Sequence, residues 1–175
     1  SKIREKLGGR VIGVVTGSAA CPLKIARVFS AAGIPIREGY GLTETSPVIT
    51  FNRFTEGGAM LGTVGMPIKD VDVKIAEDGE ILAKGPNIML GYYKEPELTA
   101  EMFEEDYLKT GDEGLIDADG YLKITGRIKD QFKTSKGKYV APAPIESKVL
   151  SDTMIAQACV VGWGMPAPLL LCTLS

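Results

Sequence analysis

A chain of 175 residues with 45% hydrophobic and 24% charged residues has the composition of a folded globular protein of one or two small domains, which argues against the disordered and membrane classes. The complete absence of histidine excludes Ser-His-Asp and Cys-His catalysis and histidine-ligated zinc. Its 20 basic and 22 acidic residues give a net charge of −2, which argues against a nucleic-acid partner. No apolar run approaches the ~20 residues of a membrane span and no signal-peptide pattern is visible, so the sequence predicts a cytoplasmic protein without a transmembrane segment.

The first 60 residues alternate between strand and helix patterns. The apolar, β-branched run 11–15 predicts a buried strand. Pro22 and Gly33 stand where a helix with an apolar face would begin and end. Residues 34–38 then lead into a second strand, so residues 1–60 are predicted to form an α/β portion of a mixed α/β domain.

Residues 61–127 have the pattern of a β-rich subdomain. Asp-Gly pairs at residues 78–79 and 119–120 lie between apolar stretches, which is typical of tight hairpin turns. One helix, predicted from Pro96 to Phe103, interrupts the strands. The predicted strands are residues 71–75, 80–84, 114–116 and 121–125.

Residues 128–175 predict a small α+β lobe. A Lys- and Gly-rich loop is followed by a helix predicted from Pro144 to Leu150 and by two apolar strands, residues 156–161 and 169–174. The last residues have a strand pattern with no helix or turn after it, which predicts a truncated lobe.

The cysteines are odd in number and far apart, and they lack the paired spacing of a metal site. Because they are set among Ala, Val and Leu, we predict that they are reduced thiols in the core. They are Cys21, Cys159 and Cys172.

Residues 39–47 follow the second predicted strand and combine glycines, an aromatic ring, hydroxyls and a carboxylate. Glycine lets the backbone approach a ligand closely, hydroxyls can hydrogen-bond phosphate oxygens, and a carboxylate can hold Mg²⁺ against them. The same residues equally fit a Ser/Thr turn with an exposed glutamate.

Three further candidates lie later in the chain. Asp112 follows a Thr-Gly pair that we interpret as a turn at the end of a strand, where a carboxylate either binds both hydroxyls of a ribose or caps the turn. Arg127 and Lys129 flank the predicted domain boundary. The fixed fork of donors on Arg127 suits a nucleotide, and a flexible exposed Lys129 can absorb a backbone rotation. The two residues equally fit a solvated basic hairpin. The loop 132–140 is rich in Lys and Gly, which fits the phosphates of a ligand or a solvated face.

Four stretches together resemble the adenylate-forming (AMP-binding) enzymes, a superfamily that includes acyl-CoA synthetases, adenylation domains of peptide synthetases and firefly luciferase. Tyr40-Gly41-Leu42-Thr43-Glu44 is similar to the family's adenine- and phosphate-binding motif. Residues 79–85 with 90–93, 107–112, and 126–130 through Glu146 resemble its β-strand motif, its ribose-binding motif, and its hinge with the following loop. Residues 136–142 with Ile145-Glu146 resemble the long-chain fatty-acid–CoA ligases.

The resemblance implies a fold and a set of site residues. Residues 1–127 would be the C-terminal part of the large AMP-binding domain, with its β-barrel-like subdomain at 61–127, and residues 128–175 the beginning of the C-terminal lobe. The resemblance assigns the adenine face to Tyr40, the α-phosphate to Thr43 and Mg²⁺ to Glu44, with Gly41 as a further cofactor-binding residue. Asp112 and Arg127 would bind the ribose, and Lys129 would be the hinge, with Asp130 as an alternative pivot. Further residues are implied at the adenine and acyl border (Gly17, Ser18, Ala19, Ala20) and at the coenzyme A loop (Lys133, Ser135, Lys136, Gly137).

The activity that the resemblance implies is that of an ATP-dependent fatty-acid–CoA ligase, which forms an acyl-adenylate and then an acyl-CoA thioester. ATP or AMP, Mg²⁺, a fatty acid and coenzyme A are then the expected ligands. The family's phosphate loop and its C-terminal Gly-Lys pair are missing, so we predict an internal segment of a longer enzyme that is inactive alone. Two alternatives stay open: an adenylating enzyme that passes its acyl group to a carrier protein, and a non-catalytic nucleotide-binding domain. Membrane-surface association and oligomeric state are also open.

Overall fold

The computed structural model describes residues 2–175, which form two compact units. The first unit comprises the described residues up to Thr110 together with Leu115–Ile124, and the second comprises Gly111–Gly114 and Thr125–Ser175. The limits of the two units differ from the domain division predicted after residue 127, which stays a prediction.

The first unit begins with a strand, helix, strand arrangement. After the short helix α1 (Lys2–Lys6) come strand β1 (Val14–Thr16), helix α2 (Leu23–Ala31) and strand β2 (Ile36–Tyr40). Strands β1 and β2 are parallel, as a helical crossover between them requires. The predicted helix and second strand are therefore present.

Strand β1 differs from the predicted buried strand at residues 11–15. It is shorter, and it lies at the edge of a four-stranded sheet of order β1-β2-β3-β4, whose last members are β3 (Thr50–Phe51) and β4 (Met66–Pro67). Ile12 is 81% exposed and Val15 60% exposed, so burial of this run was wrongly predicted. An edge strand has only one neighbour, and that leaves its side chains more open.

The β-rich part has three of its four predicted strands within two residues of the predicted ends. It contains β5 (Asp72–Ile75), β6 (Glu80–Lys84), helix α3 (Pro96–Glu101), β7 (Phe103–Glu104), β8 (Tyr107–Ile116) and β9 (Leu122–Arg127). The sheet order is β5-β6-β8-β7, and β9 also pairs with β8. The core of the first unit packs Tyr40, Ile49, Val71, Val73, Ile81, Ala83 and Leu122 together.

Strand β8 corrects two predictions. It begins at Tyr107, seven positions before the predicted strand, and Thr110, Gly111 and Asp112 lie inside it and not in a turn at a strand end. Gly111 adopts a φ of +73° within the strand, a local irregularity that resembles a turn in sequence. The predicted helix from Pro96 also ends earlier, because Phe103 pairs with Leu108 as part of β7.

The second unit has the predicted α+β order. It contains a 3-10 helix (Ile128–Asp130), β10 (Phe132–Lys133), β11 (Tyr139–Val140), α4 (Pro142–Val149), β12 (Ile155–Val161) and β13 (Leu169–Leu174). Strands β10 and β11 form one antiparallel hairpin, and β12 and β13 form another. Helix α4 is joined to β12 by a hydrogen bond of 2.7 Å from the Val160 N–H to the Glu146 Oε1.

The three cysteines are free thiols, but the prediction that they lie in the core was wrong. Cys159 and Cys172 are exposed, and Cys21 is half-buried. Cys159 and Cys172 lie on the β12–β13 hairpin, in which only Val160 of β12 is buried and every residue of β13 is exposed. A two-stranded hairpin offers two faces, and apolar neighbours in sequence do not cover both of them.

The helices were compared with the length and hydropathy that a membrane-spanning helix requires. In residues 2–175, no helix has both the length and the apolar character that a membrane span needs.

Candidate functional site

The candidate nucleotide loop begins where β2 ends. Ile36, Glu38 and Tyr40 occupy alternate positions of β2 and are all buried, as the two-residue repeat of a strand dictates. Gly41 follows immediately, and a Cβ atom there would lie 1.8 Å from the carbonyl oxygen of Pro47. Only glycine allows the backbone to fold back on itself this closely.

The loop itself is a 3-10 turn at Thr43–Thr45, which is built around the buried hydroxyl of Thr45. This hydroxyl accepts the Leu42 N–H at 2.9 Å and lies 3.0 Å from the carbonyl oxygens of both Leu42 and Pro47. Thr43 is exposed and Glu44 is half-buried at the surface of the turn. Thr43 and Glu44, which the resemblance assigns to phosphate and metal, are therefore adjacent in a turn that the Thr45 hydrogen bonds hold in place.

A second segment, residues 87–92, stabilises this turn by hydrogen bonds. The Asn87 side-chain amide donates to the carbonyl oxygens of Thr45 at 3.0 Å and Val48 at 2.7 Å. The Met89 N–H donates to the Glu44 carbonyl oxygen at 2.8 Å, and the Tyr92 hydroxyl donates to the Glu44 Oε1 at 2.8 Å. The hydrogen bond to Glu44, together with burial, raises the pKa of Tyr92.

Sequence reasoning did not assign functions to Asn87 and Tyr92. The sequence placed Tyr92 only in a strand-motif resemblance, whereas residues 89–92 have no regular secondary structure. No local periodicity marks these two residues, because their partners lie 39 to 48 positions earlier in the chain.

The turn before α2 is joined to β2 by a buried carboxylate. The Cys21 N–H donates to the Glu38 Oε1 at 2.9 Å. Burial raises the pKa of Glu38, and the hydrogen bond from Cys21 partly opposes this. The predicted acyl and adenine border residues Gly17, Ser18, Ala19 and Ala20 are exposed in this turn, and Ser18 has a φ of +65°. A Cβ at Gly17 would lie 3.4 Å from the Gly39 carbonyl oxygen, so the turn runs along the end of β2.

The thiols give a first testable prediction. Burial and the nearby Glu38 charge raise the pKa of Cys21 above its ordinary value, so less of it is reactive thiolate, and its side chain is also less exposed than those of Cys159 and Cys172. At about pH 8, a thiol-disulfide reagent such as DTNB is expected to modify two thiols in a fast phase and Cys21 in a slow one. Glu38→Gln is expected to accelerate only the slow phase, and three equal rates would contradict this.

Asp112 and Arg127 are paired in the second unit. The Arg127 Nε donates to the Asp112 Oδ1 at 3.1 Å, with the Asp112 side chain 8% exposed and the Arg127 side chain 63% exposed. The neighbouring Glu113 accepts a hydrogen bond of 2.6 Å from the Gln131 side-chain amide. The structure thus brings together the two residues that the resemblance assigns to ribose, with the carboxylate buried and the guanidinium toward solvent.

The predicted coenzyme A loop is the connection between β10 and β11. Its buried residue, Thr134, accepts the Lys138 N–H on its hydroxyl at 3.1 Å, while Ser135, Lys136 and Gly137 are exposed. The Ser135 N–H donates to the Met165 carbonyl oxygen at 2.9 Å, which ties the loop to the turn after β12. Lys133 places its ammonium 5.2 Å from the centroid of the Tyr139 ring.

Lys129, the predicted hinge, is exposed in the 3-10 helix Ile128–Asp130. Among residues 2–175, no three Cys, Asp or Glu side chains come together as a ready-made metal cluster.

Comparison with known proteins places these features in a family. The sequence profile of the AMP-binding enzymes matches residues 2–93, more than half of the chain. The chain belongs to the AMP-binding enzyme family. The predicted resemblance to adenylate-forming enzymes is confirmed, and the matched range includes the Tyr40–Glu44 motif.

Related sequences and solved structures of other proteins both match nearly the whole of this AMP-binding family member. Long-chain-fatty-acid–CoA ligase FadD15 of Mycobacterium bovis is 40% identical over 165 residues, which are 94% of this chain and 27% of that ligase. The structure of o-succinylbenzoate CoA synthetase from Bacillus subtilis in complex with the acyl-adenylate intermediate OSB-AMP superposes with a TM-score of 0.82 at 28% identity, covering 99% of this chain and 40% of the synthetase. The same synthetase in complex with ATP and magnesium ion gives a TM-score of 0.80 at 28% identity, with the same coverage of both chains. The mixed α/β fold is confirmed, and the chain spans about a quarter of the length of FadD15.

Proposed function

We propose that this chain is part of an ATP-dependent fatty-acid–CoA ligase. In the first step, a fatty carboxylate attacks the α-phosphorus of ATP, and pyrophosphate leaves to give an acyl-adenylate. In the second step, the thiolate of coenzyme A attacks the acyl carbon, and AMP leaves. The observation that carries this proposal is the 40% identity to a long-chain-fatty-acid–CoA ligase over 94% of the chain.

The Tyr40–Glu44 motif would hold the adenine and the phosphates. Tyr40 and Gly41 would border the adenine, with the turn Gly17–Ala20 on its acyl side, and the exposed Thr43 hydroxyl would donate to the α-phosphate. A carboxylate is already a nucleophile at neutral pH, so no histidine base is needed. The contribution of these residues is alignment of the reactants and stabilisation of the charge that develops.

Glu44 fits the role of a magnesium ligand. Its Oε1 accepts the Tyr92 hydroxyl, and no described residue hydrogen-bonds to its Oε2, so one hard oxygen is available. Mg²⁺ is commonly held by one or two carboxylates plus substrate phosphates, which suits a lone glutamate beside a phosphate-binding threonine. When bound, the ion would neutralise negative charge on the phosphates.

Asp112 and Arg127 would hold the ribose, and the residues after Lys129 would serve the thioester step. The buried Asp112 carboxylate would accept the ribose hydroxyls, and Arg127 would orient Asp112 while facing the nucleotide. Lys129, or Asp130 beside it, would be the hinge about which the following residues rotate between the two steps. Lys133, Ser135, Lys136 and Gly137 would line the path of coenzyme A, where the exposed lysines attract its phosphates. The cytoplasmic location stays a prediction.

The test is an activity assay of the complete protein that contains this chain. Pyrophosphate release that requires ATP, Mg²⁺ and a fatty acid is expected, followed by thioester formation when coenzyme A is added. Absence of pyrophosphate release with every acid from two to eighteen carbons would contradict an adenylating function. Release without thioester formation from free coenzyme A would instead assign the acyl group to a carrier protein.

A further inference from the structure

Tyr92 is attached at both of its ends. Its hydroxyl donates to the Glu44 Oε1 at 2.8 Å, and its backbone N–H donates to the Thr99 hydroxyl of α3 at 2.9 Å. The Thr99 hydroxyl in turn donates to the Glu95 carbonyl oxygen at 2.7 Å. The backbone of Tyr92 is therefore held by a helix, and its phenol is held by the candidate metal carboxylate.

The backbone next to Tyr92 supports the same arrangement. Gly91 has a φ of +147°, and a Cβ there would lie 2.6 Å from the Thr99 Cγ2. Glycine thus allows the chain to pass against α3 at the position that aims the Tyr92 ring. Met89 adds a backbone hydrogen bond of 2.8 Å to the carbonyl oxygen of Glu44, so the glutamate is held through main chain and side chain.

These contacts determine which oxygen of Glu44 remains for a ligand. The tyrosine hydroxyl engages Oε1, while Oε2 receives no hydrogen bond from the residues that the structure describes. A half-exposed glutamate would otherwise sample several rotamers, and fixing one of them before a cation binds reduces the entropy that binding costs.

We propose that Tyr92 is a positioning residue that holds the Glu44 carboxylate by one oxygen and presents the other to a divalent cation. This inference rests on the proposed function, because it takes Glu44 as the cation ligand. It gives the Gly91-Tyr92 pair, which the sequence placed only in a strand motif, a specific task at the adenylation site.

The neighbouring tyrosine provides a matched control. Tyr93 is 86% exposed, and its ring contacts the Lys94 ammonium at 5.1 Å while its hydroxyl has no hydrogen bond to a described residue. Tyr92→Phe and Tyr93→Phe each remove one hydroxyl and keep the ring. Only the first removes a contact with Glu44.

The experiment measures Mn²⁺ binding by electron paramagnetic resonance in the complete protein with ATP present, and ATP binding by calorimetry without metal. Tyr92→Phe is expected to weaken Mn²⁺ binding by about 10-fold or more, as loss of a residue that orients a metal ligand does. It should leave metal-free ATP binding within about 2-fold, because the Tyr92 hydroxyl contacts Glu44 and is not assigned to ATP itself. Tyr93→Phe should change neither quantity, because its hydroxyl contacts neither Glu44 nor ATP.

Three outcomes separate the inference from the proposed function. Unchanged Mn²⁺ binding in Tyr92→Phe, with loss of binding in Glu44→Ala, would overturn the positioning role alone. Equal weakening of Mn²⁺ and metal-free ATP binding in Tyr92→Phe would show general support of the loop and would also overturn it. A wild-type protein that binds neither ATP nor Mn²⁺-ATP would contradict the proposed function itself.

Discussion

Gly41→Ala is expected to destabilise the first unit by about 3 kcal/mol or more, the upper end of the cost of overpacking. The added methyl group would lie 1.8 Å from the Pro47 carbonyl oxygen and 2.9 Å from the Val48 Cα, both backbone atoms that cannot rotate away. The strand end and the turn at Thr43–Thr45 would have to separate. Urea unfolding followed by circular dichroism measures the change in the free energy of unfolding.

Gly17→Ala is the control for this prediction, because the nearest atom to its new Cβ would be the Gly39 carbonyl oxygen at 3.4 Å, an ordinary van der Waals distance. We expect a change within about 1 kcal/mol for this variant. If the two alanine variants unfold at the same urea concentration, the predicted clash between a side chain at residue 41 and the Pro47 backbone does not destabilise the protein.

Asp112→Ala is expected to lower AMP affinity by about 100-fold or more in the complete protein that contains this chain. A carboxylate that accepts two ribose hydroxyls contributes two charge-assisted hydrogen bonds, each of about 1.5–3 kcal/mol. The change also leaves Arg127 without its carboxylate partner, but the 63% exposed Arg127 side chain can be solvated by water. Calorimetric titration with AMP measures the effect.

Two further variants make the AMP prediction specific. Asp112→Asn keeps the side-chain shape and one oxygen acceptor, so an intermediate loss of affinity is expected. Asp119→Ala removes an exposed carboxylate from the turn after β8 and should leave AMP binding unchanged. Wild-type affinity in Asp112→Ala would remove this residue from the ribose site.

The parts of the fold that the sequence predicted are those with local causes. Helix α2 has an apolar face between Pro22 and Gly33, and the β5–β6 hairpin has strand-forming runs on both sides of Asp78-Gly79. Strands β3 and β4 contain two residues each, which is too short for any periodic pattern, and they exist through pairing with β2 and with each other. Tertiary pairing therefore decides what short segments become.

The residues of the candidate site likewise divide into those that a local motif predicts and those that only tertiary contacts bring into place. Thr43 and Glu44 lie in one continuous motif, and a motif can be identified without knowing the fold. Asp112 was assigned to a turn because Thr-Gly is common in turns, whereas β8 continues through Gly111 despite its positive φ. Asn87 carried no signal in the sequence, and Tyr92 was placed only in a strand motif, since their contacts form only when the chain returns to residues 44–48.

The hydrogen bonds from residues 87–92 to residues 44–48 also bear on how related enzymes can be recombined. A hybrid whose crossover falls between residues 48 and 87 would take the turn at Thr43–Thr45 from one parent and the residues that hydrogen-bond to it, 87–92, from the other. Such hybrids should keep function only when the donor sequence also supplies an amide at position 87 and a phenol at position 92. Crossovers after residue 99, which transfer the turn, residues 87–92 and the Thr99 hydroxyl as one block, should be tolerated far more often.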